Sequence, residues 1–276
     1  MKPCIKRRPF SRRSSAASKS ARTSGEAECL SSDYLEGVSV FETLRAYDGK
    51  IFRAGEHLRR LAESCGGIGT ELPLAGRWLH SSLAQSGFRN AILRVSIYWK
   101  NQDAGEIVLF VRPFESHPKE WYEKGVSIRS CVNRRPSAKA QNPQIKSSQY
   151  VSGVLAHLDR PGCHEYLFFS PTGTVAEGTV SNIFIFKQKT LLTPPVASGI
   201  LKGVTRDFVL ALAEKQALAT RQTPLTRHEI YTAEECFITN TSSEILPVVE
   251  VDGRKIGSGR PGPLTRQLGG LFKKHR

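Results

Sequence analysis

The spacing of apolar residues changes period several times along this chain, and the changes divide it into elements. Ser39–Tyr47 alternates as a strand does, Asp48-Gly49 is a hairpin turn, and Lys50-Ile51-Phe52 returns. A helix starts over 57–61. Residues 91–98 and 106–112 form a second strand pair around the polar loop Lys100-Asn101-Gln102-Asp103. Residues 117–124 look like a linker, and 126–132 is a strand. Val151, Val154, Leu155 and Leu158 then fall at helical spacing, with Ser147 or Ser148 available as a cap. Residues 166–170 and 174–177 make a hairpin around Pro171-Thr172-Gly173, and 182–186 with Leu191-Leu192 continue the sheet. Gly203-Val204-Thr205 opens a second helix, carried on by Phe208, Val209 and Leu212. Strands followed by helices, twice over, predict an α+β chain. Its expected parts are a small N-terminal domain over 34–116, a linker over 117–124 and a larger C-terminal domain over 125–276.

Composition narrows this picture. Hydrophobic residues are 39% of the 276, enough for a packed core, and no apolar run approaches the ~18 residues of a membrane span. The net charge is +15, but eight Lys and Arg stand in residues 1–25 with no acid before Glu26, leaving a formal +7 for the rest. Residues 1–33, basic and Ser-rich, read as a disordered tail. An organellar transit peptide or a start codon assigned too far upstream would leave the same composition. Aromatic interleaving is limited to Phe10, which argues against a nucleic-acid arm. The six cysteines form no C-x-x-C pair and read as reduced thiols in a cytoplasmic protein; no metal site is expected.

The chemistry rests on an ordered set of weak signals. Lys146, in Gln144-Ile145-Lys146-Ser147-Ser148-Gln149-Tyr150, stands at the mouth of a helix with Tyr150 about one turn on. A lone lysine among 40 basic residues is by default a surface charge. An aldehyde cofactor, however, needs a neutral amine, which burial and neighbouring positive charge favour. Glu177, on an apolar strand before Gly178, is either exposed at a strand end or buried with a positive partner such as a pyridinium nitrogen. Gly203-Val204-Thr205-Arg206-Asp207 is a helix N-terminus able to bind phosphate through its N–H groups, or an ordinary Thr cap. The hydroxyl-rich turn at 239–243 offers the same two readings. An amine, an acid and two phosphate-binding turns in this order suit pyridoxal phosphate.

Three other patterns fail on context. Gly257-Ser258-Gly259-Arg260-Pro261-Gly262 fits the dinucleotide fingerprint formally, yet it follows a hairpin and contains Pro261. Asn240-Thr241-Ser242 matches a glycosylation acceptor without a secretory signal, and Cys163-His164 has no third member for nucleophilic catalysis.

From about Gly37 to Leu271 the chain resembles the class IV, fold-type IV pyridoxal-phosphate enzymes: branched-chain aminotransferases, D-amino acid aminotransferases and aminodeoxychorismate lyases. The resemblance implies a small α/β domain and a larger pseudo-barrel domain. It implies that Lys146 bonds the cofactor aldehyde, that Tyr150 contacts the ring oxygen and that Glu177, in Ala-Glu-Gly-Thr-Val-Ser-Asn-Ile-Phe, pairs with the ring nitrogen. Leu201, Val204 and Thr205, in Leu-Lys-Gly-Val-Thr, would support the ring face and hold the phosphate, with Thr241 as a further ligand. Arg60, in Glu-His-Leu-Arg-Arg-Leu, matches the phosphate arginine, and Phe41, Arg94 and Ser242 fall at substrate-lining positions. A homodimer acting on an amino acid and a 2-oxo acid is implied.

The family's usual first hairpin is not visible in 1–33, and Ile92 stands where branched-chain members tend to place a tyrosine. The Arg-x-His trap of D-amino acid enzymes is absent from the Lys100 loop, whereas Leu-Lys-Gly-Val-Thr and Glu-Val-Asp-Gly-Arg look closest to those enzymes. The leading expectation is transamination, with branched-chain-like L-amino acids ahead of D-amino acids. The alternatives are a lyase releasing pyruvate and a basic binding protein that kept the fold without the catalysis.

Overall fold

The computed structural model describes residues 4–11, 39–69, 71–72, 76–99, 104–149, 151–159 and 162–276. It divides into two compact units, Met1–Glu115 with Ile145–Gln149, and Ser116–Gln144 with Tyr150–Arg276.

The first unit is a five-stranded antiparallel sheet with two helices. Its elements are β1 (Cys4–Ser11), β2 (Ser39–Tyr47), β3 (Lys50–Ile51), α1 (Ala54–Gly67), α2 (Gly76–Ser86), β4 (Ala91–Trp99) and β5 (Ala104–Pro113), with sheet order β1-β5-β4-β2-β3. The turn between β2 and β3 forms where expected: Asp48 and Gly49 both adopt left-handed backbone, as a tight two-residue hairpin requires. Alternation along β2 sends Val40, Leu44 and Ala46 into a core shared with Leu61 and Cys65 of α1, Leu79 of α2 and Leu93 of β4. Each valine or leucine among them contributes about 1.5–3 kcal/mol on burial.

The second unit holds α3 (Lys119–Lys124), β6 (Val126–Ser130), α4 (Val151–Asp159), β7 (Glu165–Phe169), β8 (Val175–Gly178), β9 (Asn182–Lys187) and β10 (Thr190–Thr193). There follow α5 (Val204–Lys215), β11 (Thr220–Gln222), α6 (Arg227–Tyr231), β12 (Glu235–Asn240), β13 (Glu244–Val251), β14 (Arg254–Lys255) and α7 (Pro263–His275). The sheet runs β11-β10-β9-β12-β13-β6-β7-β8, with β14 added on β13. The path curls back on itself. Its last strand, β8, turns straight into β9 through the Gly178 N–H bond to the Ser181 carbonyl (2.8 Å), and Val175 N–H donates to the Leu225 carbonyl beyond β11 (2.8 Å). Ile128, Leu167, Ile183, Ile185, Ile238 and Leu246 fill the core this curl encloses.

Four expectations are corrected. Residues 4–11, assigned to a disordered tail, form strand β1, paired with β5 over Cys4↔Val111 to Ser11↔Ala104. The strand is cryptic because it lies on a sheet edge, where charged residues and Pro9 are tolerated. Lys6 lays its stem into the unit, 7% exposed with its ammonium on Gln85, and Arg8 stacks over Trp78. The remainder of that tail, 12–33, lies outside the described residues. The supposed linker contains α3, whose Trp121 and Tyr122 pack on the core of the second unit. Residues 145–149, placed with the large domain, group with the small unit. Ser147 and Ser148 join β2 rather than cap α4: Ser147 bridges Val40, and Ser148 N–H donates to the Ser39 carbonyl at 3.1 Å.

Candidate active site

On the small unit, the segment carrying Lys146 is fixed through its backbone. Phe41 N–H donates to the Lys146 carbonyl at 2.9 Å, and Lys146 N–H donates to Ser64 Oγ at 3.1 Å. The lysine is thereby pinned to β2 on one side and α1 on the other, while its half-buried side chain runs over Phe41, with Nζ 4.7 Å from the ring centroid. Arg94 lies over the same ring at 3.7 Å. The register explains this second contact. Arg94 pairs with Thr43, and Phe41 pairs with Ser96, so Arg94 and Phe41 are diagonal neighbours on one face of the sheet. Three of the expected residues (Phe41, Arg94 and Lys146) thus form one cluster. Arg60 lies one turn before Ser64 on α1, where it is held by the Glu42 carboxylate, which His57 also contacts.

On the large unit, Glu177 lies at the end of β8, 5% exposed. Its Oε2 accepts from the Leu201 N–H (3.0 Å) and from Asn182 Nδ2 (3.3 Å), and Asn182 Nδ2 also donates to the Leu201 carbonyl (3.0 Å). Arg135 Nη2 donates to Oε1. Glu177 is therefore a buried, oriented carboxylate and not a strand-end charge. Gly178 is needed beside it, since a Cβ there would lie 2.3 Å from Glu165 Oε1 and from Ser181 Oγ. Glu165, itself 3% exposed, grips the following turn through Val180 N–H (2.7 Å), Ser181 Oγ (2.9 Å) and Thr179 Oγ1 (3.3 Å). Burial pushes the Glu165 carboxyl above its usual range despite those bonds.

The N-cap of helix α5 is Gly203, with no side-chain cap, so the Thr-cap alternative is not what the helix uses. Its first turn carries Val204 and Thr205, both buried, with Leu201 half-buried before it. Adjacent to it in the fold, α5 packs on β12. There the Thr239 hydroxyl is buried with no partner among the described residues. Past β12, Asn240 Oδ1 accepts from Ser242 N–H (3.0 Å), Ser243 N–H (2.7 Å) and Ser242 Oγ (3.0 Å), shaping the turn that presents Thr241. Tyr150 lies outside the described residues.

The large unit's donor set suits a phosphorylated pyridine aldehyde. An uncapped helix N-terminus and an unpartnered buried hydroxyl offer donors to a phosphate, and a buried carboxylate offers an acceptor to a ring nitrogen. Sequence reasoning passed over Asn182, Arg135 and Glu42. Asn182 stood inside the motif read for Glu177, five residues on. Arg135, in Arg134-Arg135-Pro136, is one of many basic residues, and Glu42 is one position of an alternating strand.

Comparison with known proteins agrees with this geometry. The family model for amino-transferase class IV matches residues 39–251. The branched-chain-amino-acid aminotransferase of Pseudomonas aeruginosa is 30% identical over 252 residues, covering 84% of this chain and 82% of the relative. The D-alanine aminotransferase of Bacillus licheniformis is 32% identical over 249 residues, covering 85% and 86%. Among solved structures, the branched-chain amino acid aminotransferase of Escherichia coli superposes with a TM-score of 0.84 at 26% identity, covering 92% of this chain and 91% of the other. The matched stretch holds Lys146, Glu177, Thr205 and Thr241 alike, and the chain belongs to the class IV aminotransferases, pyridoxal-phosphate-dependent transaminases of fold type IV.

Proposed function

We propose that this transaminase moves the amino group of a branched-chain L-amino acid to a 2-oxo acid, with Lys146 as its catalytic residue. When bound, pyridoxal phosphate supplies the aldehyde that takes up the amino group and a ring that draws electrons from the substrate Cα. The Lys146 amine first holds the cofactor and then, released, carries the proton to and from that Cα. Glu177 keeps the ring nitrogen protonated, and its bonds from Asn182 and Leu201 orient the carboxylate for that task. On the small unit Arg60 serves the phosphate, and Phe41 and Arg94 face substrate. On the large unit Thr205, Thr241 and the α5 N-terminus serve the phosphate, Leu201 and Val204 back the ring, and Ser242 lies toward substrate. Tyr150 is assigned to the ring oxygen.

The observation that carries this reading is the buried Glu177 carboxylate, which Asn182 and the Leu201 N–H orient just ahead of the uncapped N-terminus of α5. The branched-chain substrate is supported by the relative from Pseudomonas aeruginosa, while the D-alanine enzyme at 32% identity keeps a D-amino acid as the second reading. A donor panel of both enantiomers of leucine, valine and alanine, with 2-oxoglutarate as acceptor, tests it. Turnover confined to D-alanine would overturn the branched-chain assignment, and no turnover with any donor would overturn the transaminase activity.

The working form is proposed to be a homodimer. Val151, Val154, Leu155 and Leu158 of α4, and Val180 in the β8–β9 turn, are exposed apolar side chains on the large unit, a surface that a second copy would cover. Light scattering measures the mass directly; a monomer at working concentration would exclude it. A cytoplasmic location is proposed on the described cysteines, all of them free thiols, as suits a reducing compartment. Among the described residues no helix is long and apolar enough to cross a membrane.

A further inference from the structure

We propose that Glu42 and His57 are positioning residues for Arg60, and that through it they set the protein's affinity for the phosphate group of its cofactor. The inference rests on the reading of Arg60 as a phosphate cation. Glu42 occupies the inward-facing row of β2, between Val40 and Leu44, and is wholly buried. An acid in an apolar row needs partners, and α1 supplies two of them at i and i+3. Arg60 grips the carboxylate as a fork, Nε to Oε1 at 2.6 Å and Nη2 to Oε2 at 2.9 Å. His57 Nδ1 lies 2.8 Å from the same Oε2. An ionised carboxylate only accepts hydrogen bonds, so His57 carries its proton on Nδ1.

A fork of this kind fixes the plane of the guanidinium, whereas a lysine or a singly bonded arginine would swing. Arg60 side-chain freedom is thus already lost before any ligand arrives, so binding a phosphate does not have to remove it. The bland reading is a buried ion pair that only holds α1 on β2. The two readings separate because a pair that only holds α1 on β2 would affect every ligand alike, whereas a preorganised cation acts on one chemical group of one ligand. The phosphate is that group.

The test compares two ligands on the cofactor-free full-length protein: pyridoxal phosphate, and pyridoxal, which lacks the phosphate. Each is titrated by absorbance on wild type and on Glu42→Gln, His57→Gln and Arg60→Ala, with folding checked by circular dichroism. The expected result is that Glu42→Gln and His57→Gln weaken pyridoxal phosphate by roughly 10-fold, the size of one lost charge-assisted bond, with pyridoxal unchanged within about twofold. Arg60→Ala should weaken pyridoxal phosphate further, again sparing pyridoxal. If Arg60→Ala leaves the ratio of the two affinities unchanged, the phosphate role of Arg60 is wrong and the positioning role goes with it. If Arg60→Ala shifts the ratio while Glu42→Gln and His57→Gln do not, the positioning proposal alone is overturned. His57→Gln removes one bond and leaves the Glu42–Arg60 fork in place, so it decides the matter even if Glu42→Gln does not fold.

Discussion

The carbonyl oxygen of Lys146 accepts the Phe41 N–H at 2.9 Å, so the chain at this lysine is tied to strand β2. Its position depends on backbone bonds that any residue could make. Lys146→Ala should therefore fold with wild-type thermal stability, yet lose the yellow absorbance of lysine-bound cofactor. A purified variant that keeps that absorbance would remove Lys146 from its assigned role.

Glu177→Gln is expected to keep the cofactor and slow the chemical step. The amide can still accept from the Leu201 N–H, but it cannot hold a proton on the ring nitrogen. A loss on the order of 10²-fold in single-turnover rate is expected, the scale of one removed preorganised electrostatic contact. Asn182→Ala should give a smaller loss in the same step, because Asn182 acts by orienting the Glu177 carboxylate. Wild-type single-turnover rates in Glu177→Gln would leave Glu177 a structural acid.

Gly203→Ala probes the cradle without touching a charged group. Backbone conformation is no obstacle, since Gly203 has φ −72°. The added Cβ, however, would lie 2.0 Å from Asn182 Oδ1 and 3.2 Å from Arg206 Cβ. Asn182 would have to turn away, releasing Leu201 and Glu177 together. A loss of about 1–3 kcal/mol in unfolding free energy is expected, as for other overpacked sites, with weaker cofactor binding. A denaturant midpoint matching wild type would show that the loop yields without cost.

Local pattern made much of this molecule legible. Ser39–Tyr47, the Asp48-Gly49 turn, the strands around Glu177 and the start of α5 all stand where periodicity and turn chemistry put them, because each is specified by neighbours in sequence. What stayed hidden depends on partners far along the chain. Strand β1 reads as a basic tail until β5 is beside it, nearly 100 residues away, and Pro9 is acceptable only because the strand is an edge. The Lys146 segment looked like a helix mouth because hydrogen bonds to Phe41 and Ser64 leave no mark in its own sequence. The same holds for Glu42, whose partners lie 15 and 18 residues on, in another element.

Acid should expose the Glu42 cluster. Burial alone would raise this carboxyl, but the Arg60 charge and the hydrogen bonds from His57 and Arg60 hold it at about 2, against an ordinary 4.5. A folded-state pKa lowered in this way gives stability that is complete above the unfolded value and is lost as pH falls toward the folded one. The window is thus from about 4.5 down to about 2, and the contribution at neutral pH is on the order of 3 kcal/mol. Urea unfolding at stepped pH should show wild type losing stability through that window more steeply than Glu42→Gln. Parallel slopes would mean that the cluster does not gate acid unfolding.

Removing residues 1–11 is expected to damage the small unit. All eight residues of β1 pair with β5, Lys6 buries its stem with its ammonium on Gln85, and Arg8 covers Trp78 at 4.8 Å. Without β1, strand β5 becomes the sheet edge, with its ladder groups open to pairing by another chain. The truncated protein should melt several degrees lower, a shift of about 2–4 °C for each kcal/mol lost in a chain of this size, and form larger species on size exclusion. Extending the deletion no further than Ser11 keeps the result attributable to this strand. A truncated protein with unchanged melting temperature and a single symmetric peak would show that β5 needs no cover and that β1 adds nothing to the fold.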